Sequence, residues 1–253
     1  LKFEDRDEFT EYMQEEQPVK PANIANIVAT NQGLLPLKME IPVAAPLSVA
    51  QVEELMAAGH IIVDTRTSPE FGVGHIPGAY HAHLSSPEFE QRVGWVTPLD
   101  TPLILVTDDE EEAQRTIYNM AFLALDGRVT GYLDGGMTAW MDAGKAMATL
   151  PQLDVYALRE RLSSNGLQVL DVREDDEYDE GHIESAKNLS FKLIPTQLDN
   201  SGLNPGVPMA ITCATGKRSS TAASLLLREG YSELYNVTGG MAAWESADFD
   251  VEF

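Results

Sequence analysis

Two stretches of the chain carry one pattern: IIVDTRTSPEFGVGHIPGAYH, residues 61–81, and VLDVREDDEYDEGHIESAKN, residues 169–188. Asp64, Arg66, Glu70, Gly74, His75, Ile76 and Ala79 recur 107 residues later as Asp171, Arg173, Glu177, Gly181, His182, Ile183 and Ala186. Seven matches in one register mark a duplication. Gly135-Gly136-Met137 with Trp140 returns as Gly239-Gly240-Met241 with Trp244 at an offset of 104, so the intervening loops differ in length by three residues. Two copies of so long a period are duplicated domains, not a stacked solenoid. Pro42, Pro46 and Pro151 punctuate the chain into a tail, residues 1–43, a first domain, residues 44–148, and a second, residues 149–253.

Within the second copy the elements alternate. Val155 to Leu162 has helical apolar spacing, and Leu167 to Val172 and Met209 to Thr212 are short apolar runs. Ser220 to Arg228 reads as a helix, Leu234 to Val237 as a strand and Met241 to Trp244 as a helix start. Short buried strands separated by helices predict an α/β fold in which each domain is a parallel sheet flanked by helices. Active sites of such sheets lie beyond the carboxyl ends of the strands.

The composition, 43% hydrophobic and 23% charged over 253 residues, is that of a soluble globular chain of about two domains. Forty acidic against 17 basic residues give a net charge of −23, which repels phosphate backbones and anionic lipids and argues against nucleic-acid or membrane partners. No apolar run approaches a membrane span, and no stretch reads as a signal peptide, so a cytoplasmic location is expected. The first residue is Leu1 rather than Met, as in a fragment or a processed chain.

One cysteine cannot make an internal disulfide, so Cys213 is a free thiol, either a buried core residue or a reactive one. It follows the apolar run MAIT, and the loop CATGKR ends where Ser219-Ser220-Thr221 opens a helix that Ser219 could cap. Gly216 lets the chain curl with a positive φ angle. A loop closing on a helix N-terminus gathers backbone N–H groups and the positive end of the dipole at one point. With Lys217 and Arg218 beside it, such a site favours the thiolate, which is the nucleophile. Ala214, Thr215, Gly216 and Ser219 would then cradle a transferred sulfur, while Lys217 and Arg218 hold the anionic end of its donor.

Together, Asp-x-Arg…Glu-Tyr…Gly-His-Ile…Ala before the loop, Cys-x-x-x-x-Arg-Ser at it and Gly-Gly-Met-x-x-Trp after it resemble the rhodanese family over residues 44–253. The resemblance implies the rhodanese fold and sulfur transfer from thiosulfate or a low-molecular-weight persulfide through a persulfide on Cys213, with small sulfur-containing anions and thiols as partners and no cofactor or metal. Phosphatases that look like rhodaneses place five residues between Cys and Arg, making room for a phosphate. Here four residues intervene, Ala214 to Lys217, and the smaller ring suits a single sulfur atom. A non-enzymatic interaction module and a protein-to-protein persulfide carrier are the competing readings. Asp171 and Arg173 are expected near the loop, either orienting it or forming a structural ion pair.

The first copy departs from this pattern. Thr212-Cys213 align with Thr107-Asp108, and five consecutive acids, Asp108 to Glu112, replace the cationic loop. They repel an anionic donor, which predicts an inactive domain serving as a framework or partner surface; the run itself reads as a solvated helix start rather than a cation site. His75 and His182 are expected to make structural hydrogen bonds, His81-x-His83 is a poor zinc site without a third ligand, and Trp140 and Trp244 read as packing residues. In the tail, Phe3 to Glu16 reads as an acidic helix with Phe9 and Met13 on one face. With QPVKPANIANIVATNQGLLPL it resembles the C-terminal extension of metallo-β-lactamase-fold persulfide dioxygenases and hydrolases fused to rhodanese domains, which implies a fused or associated domain of that fold.

Overall fold

The computed structural model describes residues 5–14, 19–20, 22–35, 40–163 and 166–253. Two five-stranded parallel sheets carry the duplicated pattern. The first contains β1 (Pro46–Leu47), β2 (Ile61–Asp64), β3 (Tyr80–His81), β4 (Leu103–Val106) and β5 (Val129–Leu133), in the order β1-β5-β4-β2-β3. The second repeats this arrangement with β6 (Gln152–Leu153), β7 (Gln168–Asp171), β8 (Lys187–Asn188), β9 (Met209–Thr212) and β10 (Leu234–Val237), in the order β6-β10-β9-β7-β8. Every pairing is parallel. The central strands LILV and MAIT are buried along their whole length, as strands covered by helices on both faces must be. The chain leaves β7 toward β8 and returns to β9 on the other side, so the topological switch point, where such folds place their sites, lies between the ends of β7 and β9.

The repeated residues build one frame twice. Arg66 closes on Asp64, and its Nη2 reaches the Gly74 carbonyl at 2.9 Å; Arg173 closes on Asp171 and reaches the Gly181 carbonyl at 2.8 Å. Both pairs are buried, so the ion pair pins the turn after its strand to the end of the next helix. The glutamates complete capping boxes, Glu70 with Thr67 and Glu177 with Glu174. His75 and His182 stack at 3.7 Å on the rings of Phe71 and Tyr178 and meet those residues' carbonyls through Nδ1. Their backbones bridge to Ala148 and Glu252. Trp140 and Trp244 are buried, and each indole donates to a carbonyl six residues on, at Ala146 and Asp250. His81 is likewise buried, with Nε2 on the Arg66 carbonyl, and burial pushes it down to about 3.

Two differences from the sequence reading stand out. The helix of the Cys loop starts at Lys217, not at the serines, because Gly216 takes the N-cap position with φ 90°; Ser219 therefore caps nothing. In the tail the acidic helix spans Arg6–Gln14, while Phe3, Glu16 and the Met13 side chain lie outside the described residues. A second helix, Ile24–Asn31, follows where none was expected. The tail packs on the first domain: Trp95 donates to the Lys20 carbonyl at 2.9 Å and Asn23 to the Leu123 carbonyl at 2.8 Å. No helix among the described residues is long and apolar enough to cross a membrane.

Removing one half of a buried ion pair strands the other, at a cost of about 3–5 kcal/mol. Asp171→Ala should lower the unfolding free energy by about that much in urea titration, and adding Arg173→Met should restore part of the loss. A loss below about 1 kcal/mol, the size for an exposed pair, would show that Arg173 finds water instead.

Candidate functional site

Cys213 follows β9 at the switch point and is 1% exposed. Its Sγ accepts the Gly216 N–H at 3.1 Å, at the start of the 12-residue helix Lys217–Arg228, so sulfur lies against the positive end of that helix. The loop takes its shape from the Gly-Gly-Met motif. Met241 N–H donates to the Cys213 carbonyl at 2.8 Å and Ala242 N–H to the Ala214 carbonyl at 3.0 Å. So close an approach requires Gly240, with φ 55°: a Cβ there would stand 2.0 Å from the Cys213 oxygen. With the Cys213 and Ala214 carbonyls tied to this second helix, the planar trans peptides turn the N–H groups of Ala214 and Thr215 the opposite way.

Of the residues singled out in the sequence, Ala214, Thr215 and Gly216 form the cysteine loop, and Ser219 lies in the first turn of the helix that follows it. Ser219 is fully buried with its Oγ 3.5 Å from Sγ, and its proton goes to Asn236 Oδ1 at 2.6 Å. Asn236 is held in turn by Gln152 at 2.8 Å. Arg218 is placed differently from a free anion-binding group: both its terminal nitrogens sit 2.6 Å from the Glu177 carboxylate. This fork holds Glu177 below the ordinary carboxylate range. Lys217 faces the first domain, where its charge acts with burial to push His83 down. Asp171 and Arg173 satisfy each other and the Gly181 carbonyl, so they hold the neighbouring turn as a structural ion pair.

Sequence reasoning missed how far the first domain reaches into this site. Ser68 Oγ lies 3.4 Å from the Gly216 carbonyl, and the His81 N–H donates to Ser224 of the cysteine-loop helix at 3.0 Å. A cavity of about 150 Å³ opens between the domains, lined among others by Ser68, His83, Gln152, Thr215, Lys217 and Asn236. Phe191 meets Trp95 edge-on at 6.0 Å, and Arg92 lies over Phe191. None of these pairs carries a local sequence signal. Glu177 belonged to the visible repeat, yet its partner Arg218 lies 41 residues away.

At the equivalent place in the first domain, Asp109 caps the helix Glu110–Ala121 by accepting the Glu112 N–H at 2.8 Å. The acid run is thus a loop and a helix start. Asp108 stands where the second domain has Cys213, and burial, then the Glu70 charge, push it above the ordinary carboxylate range.

The family model for the rhodanese-like domain matches twice, over residues 48–143 and 154–247. Among curated relatives, the chain is similar to a thiosulfate sulfurtransferase GlpE of Shewanella oneidensis, 26% identical over 40% of this chain and 99% of that protein. It is also similar to thiosulfate sulfurtransferase 18 of Arabidopsis thaliana, 36% identical over 36% of this chain and 75% of that one. A putative sulfur carrier protein YrkF of Bacillus subtilis is 29% identical over 38% of this chain and 52% of its own length. Each alignment spans a length near that of one domain, and the family model accounts for both: the chain belongs to the rhodanese-like domain family.

Proposed function

We propose that this rhodanese-type sulfurtransferase moves sulfane sulfur from thiosulfate or a low-molecular-weight persulfide to a thiol, sulfite or cyanide, with Cys213 as its only covalent carrier. The observation that carries this reading is the Gly216 N–H at 3.1 Å from Cys213 Sγ, at the head of a helix and inside a loop whose carbonyls are tied elsewhere. The thiolate attacks the sulfane sulfur of thiosulfate, and the Sγ–S bond forms as the S–S bond of the donor breaks. The leaving electron pair departs with sulfite. The terminal sulfur of Cys213–S–S⁻ then occupies the N–H cradle until an acceptor thiolate attacks it, forming a new persulfide and returning the Cys213 thiolate. No oxidant or reductant is consumed.

Lys217 is the loop cation suited to drawing in the donor. Arg218, its fork held by Glu177, contributes charge and shape to the loop more than a free hand for the substrate. The relative described as a putative sulfur carrier favours a second reading, in which the same persulfide passes to another protein. We read residues 1–43, by their resemblance to the extension of metallo-β-lactamase-fold persulfide enzymes, as the joint to a fused or associated metal-dependent domain that would exchange sulfur with Cys213. We place the protein in the cytoplasm.

Exposure of the chain to thiosulfate or glutathione persulfide should add about 32 Da, one sulfur, detected by intact mass, on Cys213 alone. Cys213→Ser in the full chain should abolish both adduct and turnover while leaving the unfolding curve in place. Because the first domain offers Asp108 where a nucleophile would stand, residual transfer by the Ser variant would refute the reading of both domains at once.

Gly240→Ala tests the cradle. Its Cβ would stand 2.0 Å from the Cys213 carbonyl, so the loop must shift by an ångström or so, a displacement that costs on the order of 10²-fold in rate. Stopped-flow persulfide formation should fall by about that factor. Gly136→Ala, at the matching position of the first domain, should leave the rate near that of the parent.

A further inference from the structure

Arg66, Arg92 and Arg173 are buried arginines among the described residues. Two of them close on an aspartate and a carbonyl, as set out above; Arg92 does not. It projects from the first domain's helix Phe89–Val96 and is 3% exposed. Its Nε and Nη1 have no hydrogen-bond partner among the described residues, and Nη2 reaches only the Pro87 carbonyl, at a long 3.4 Å. A guanidinium taken out of water with its donors unmet is costly, and an arginine so placed is built for an anion that arrives from elsewhere.

The surroundings identify where that anion lies. Arg92 sits 5.5 Å over the ring of Phe191, a residue of the second domain. Burial pushes it down to about 10; the charge of Cys213 is the largest influence in the opposite direction, while Arg218 adds to the fall and Glu88 opposes it. Arg218 also feels the Cys213 charge, but it is already paired with Glu177. Among the described residues Arg92 makes no hydrogen bond to Sγ, so its Nε and Nη1 are not spent on the thiol. His83 Nδ1 and Ser86 Oγ, on the loop leading to the same helix, are also buried with no hydrogen-bond partner among the described residues.

We propose that Arg92 is a donor-binding residue of the second domain's site, its unmet guanidinium edge receiving the anionic oxygen head group of the sulfur donor while the donor's sulfane sulfur rests on Cys213. This rests on the Cys213 persulfide chemistry proposed above and places its main anion-binding cation in the domain that has no nucleophile. The chemistry of the step agrees with the placement. When the S–S bond of thiosulfate breaks, its electron pair stays with the oxyanion, which goes from one negative charge to two. A guanidinium held there gains strength in the transition state and acts on turnover as well as on binding.

Iodoacetate and iodoacetamide are alkylating reagents of nearly equal size that differ in charge, and their rates on Cys213 test the proposal in the full chain. Dividing one rate by the other cancels any change in the thiol's intrinsic reactivity or in loop packing. Arg92→Gln should lower the iodoacetate-to-iodoacetamide ratio about tenfold or more, the loss expected for one charge-assisted contact. Arg92→Lys, which keeps the charge and loses the fork, should hold most of that ratio yet reduce kcat/KM for thiosulfate severalfold. An unchanged ratio in folded Arg92→Gln overturns the proposal, as does failure of both reagents to reach Cys213 in the parent chain. If Arg92→Gln does not fold, an undiminished thiosulfate kcat/KM in Arg92→Lys overturns it instead. Alkylation needs no sulfur transfer, so a chain that takes up no sulfur but shows the expected ratios would refute the proposed function and leave the anion site standing.

Discussion

Met241 and Ala242, at the start of the helix Gly240–Ser246, donate to the carbonyls of Cys213 and Ala214, and the rest of the site depends on that contact. A strand that ends in a tight loop before a helix has carbonyls and N–H groups to dispose of in nearly equal number. By fixing two carbonyls on one side, the second helix leaves the loop's N–H groups free on the other, where Gly216 meets the sulfur. The contact is possible only because Gly240 takes a positive φ angle and carries no side chain between the two backbones; a Cβ at Gly239, also at positive φ, would instead strike Ala243 of its own helix. The Gly-Gly-Met motif, about 25 residues downstream of the cysteine, is therefore part of its cradle. Trp244 fixes that helix from behind by donating to the Asp250 carbonyl.

The same frame stands in the first domain with a different outcome. Gly135 and Gly136 have matching angles, and a Cβ at Gly136 would meet the Thr107 carbonyl at 3.0 Å. The ion pair, the stacked histidine and the tryptophan all have counterparts. What changed is the content of one loop. With Asp109 as an extended N-cap in place of Gly216, the chain enters its helix through a side-chain cap, and a carboxylate that accepts the Glu112 N–H stands where the second domain has its glycine. Frame and chemistry are separable because the frame is built from contacts behind the loop.

The repeat was enough to place the parallel sheets, the helix Val155–Leu162 and the strand Met209–Thr212, since each is a run of apolar residues long enough to show its period. The edge strands Pro46–Leu47, Tyr80–His81, Gln152–Leu153 and Lys187–Asn188 have two residues each, too few for any periodicity to register. The helix start at Lys217 was misplaced because serines are strong N-caps by propensity. Here the positive φ of Gly216 decides the start, and the Ser219 hydroxyl is committed to Asn236. Within the site, Cys213 and its loop were legible because loop, helix and cation are adjacent in sequence. The Arg218–Glu177 fork, the Ser219–Asn236–Gln152 chain and Arg92 were not, since each joins residues brought together only by the fold.

Charge gives the domain pairing a physical sense. The chain carries a net charge of −23, which by itself repels an anionic sulfur donor, so attraction must come from cations concentrated at one spot and shielded from the surrounding carboxylates. The first domain supplies that shielding. Its strand β3 and the loop at Ser68 close over the cysteine helix through the His81–Ser224 and Ser68–Gly216 contacts, and Arg228 lies 4.2 Å over the ring of Tyr80 while donating to the Gly78 carbonyl. Water is thereby excluded from Cys213, and in that low-dielectric space a guanidinium at Arg92 acts far more strongly than it would on an open surface, with the half-buried Lys217 at its margin. The acids Asp108 to Glu112 follow the carboxyl end of β4, while the first domain meets the second through the β3 edge and the Ser68 loop. The loss of a nucleophile at one end of the sheet is thus compatible with a chemical role at its edge, and the proposed donor contact of Arg92 follows from that division.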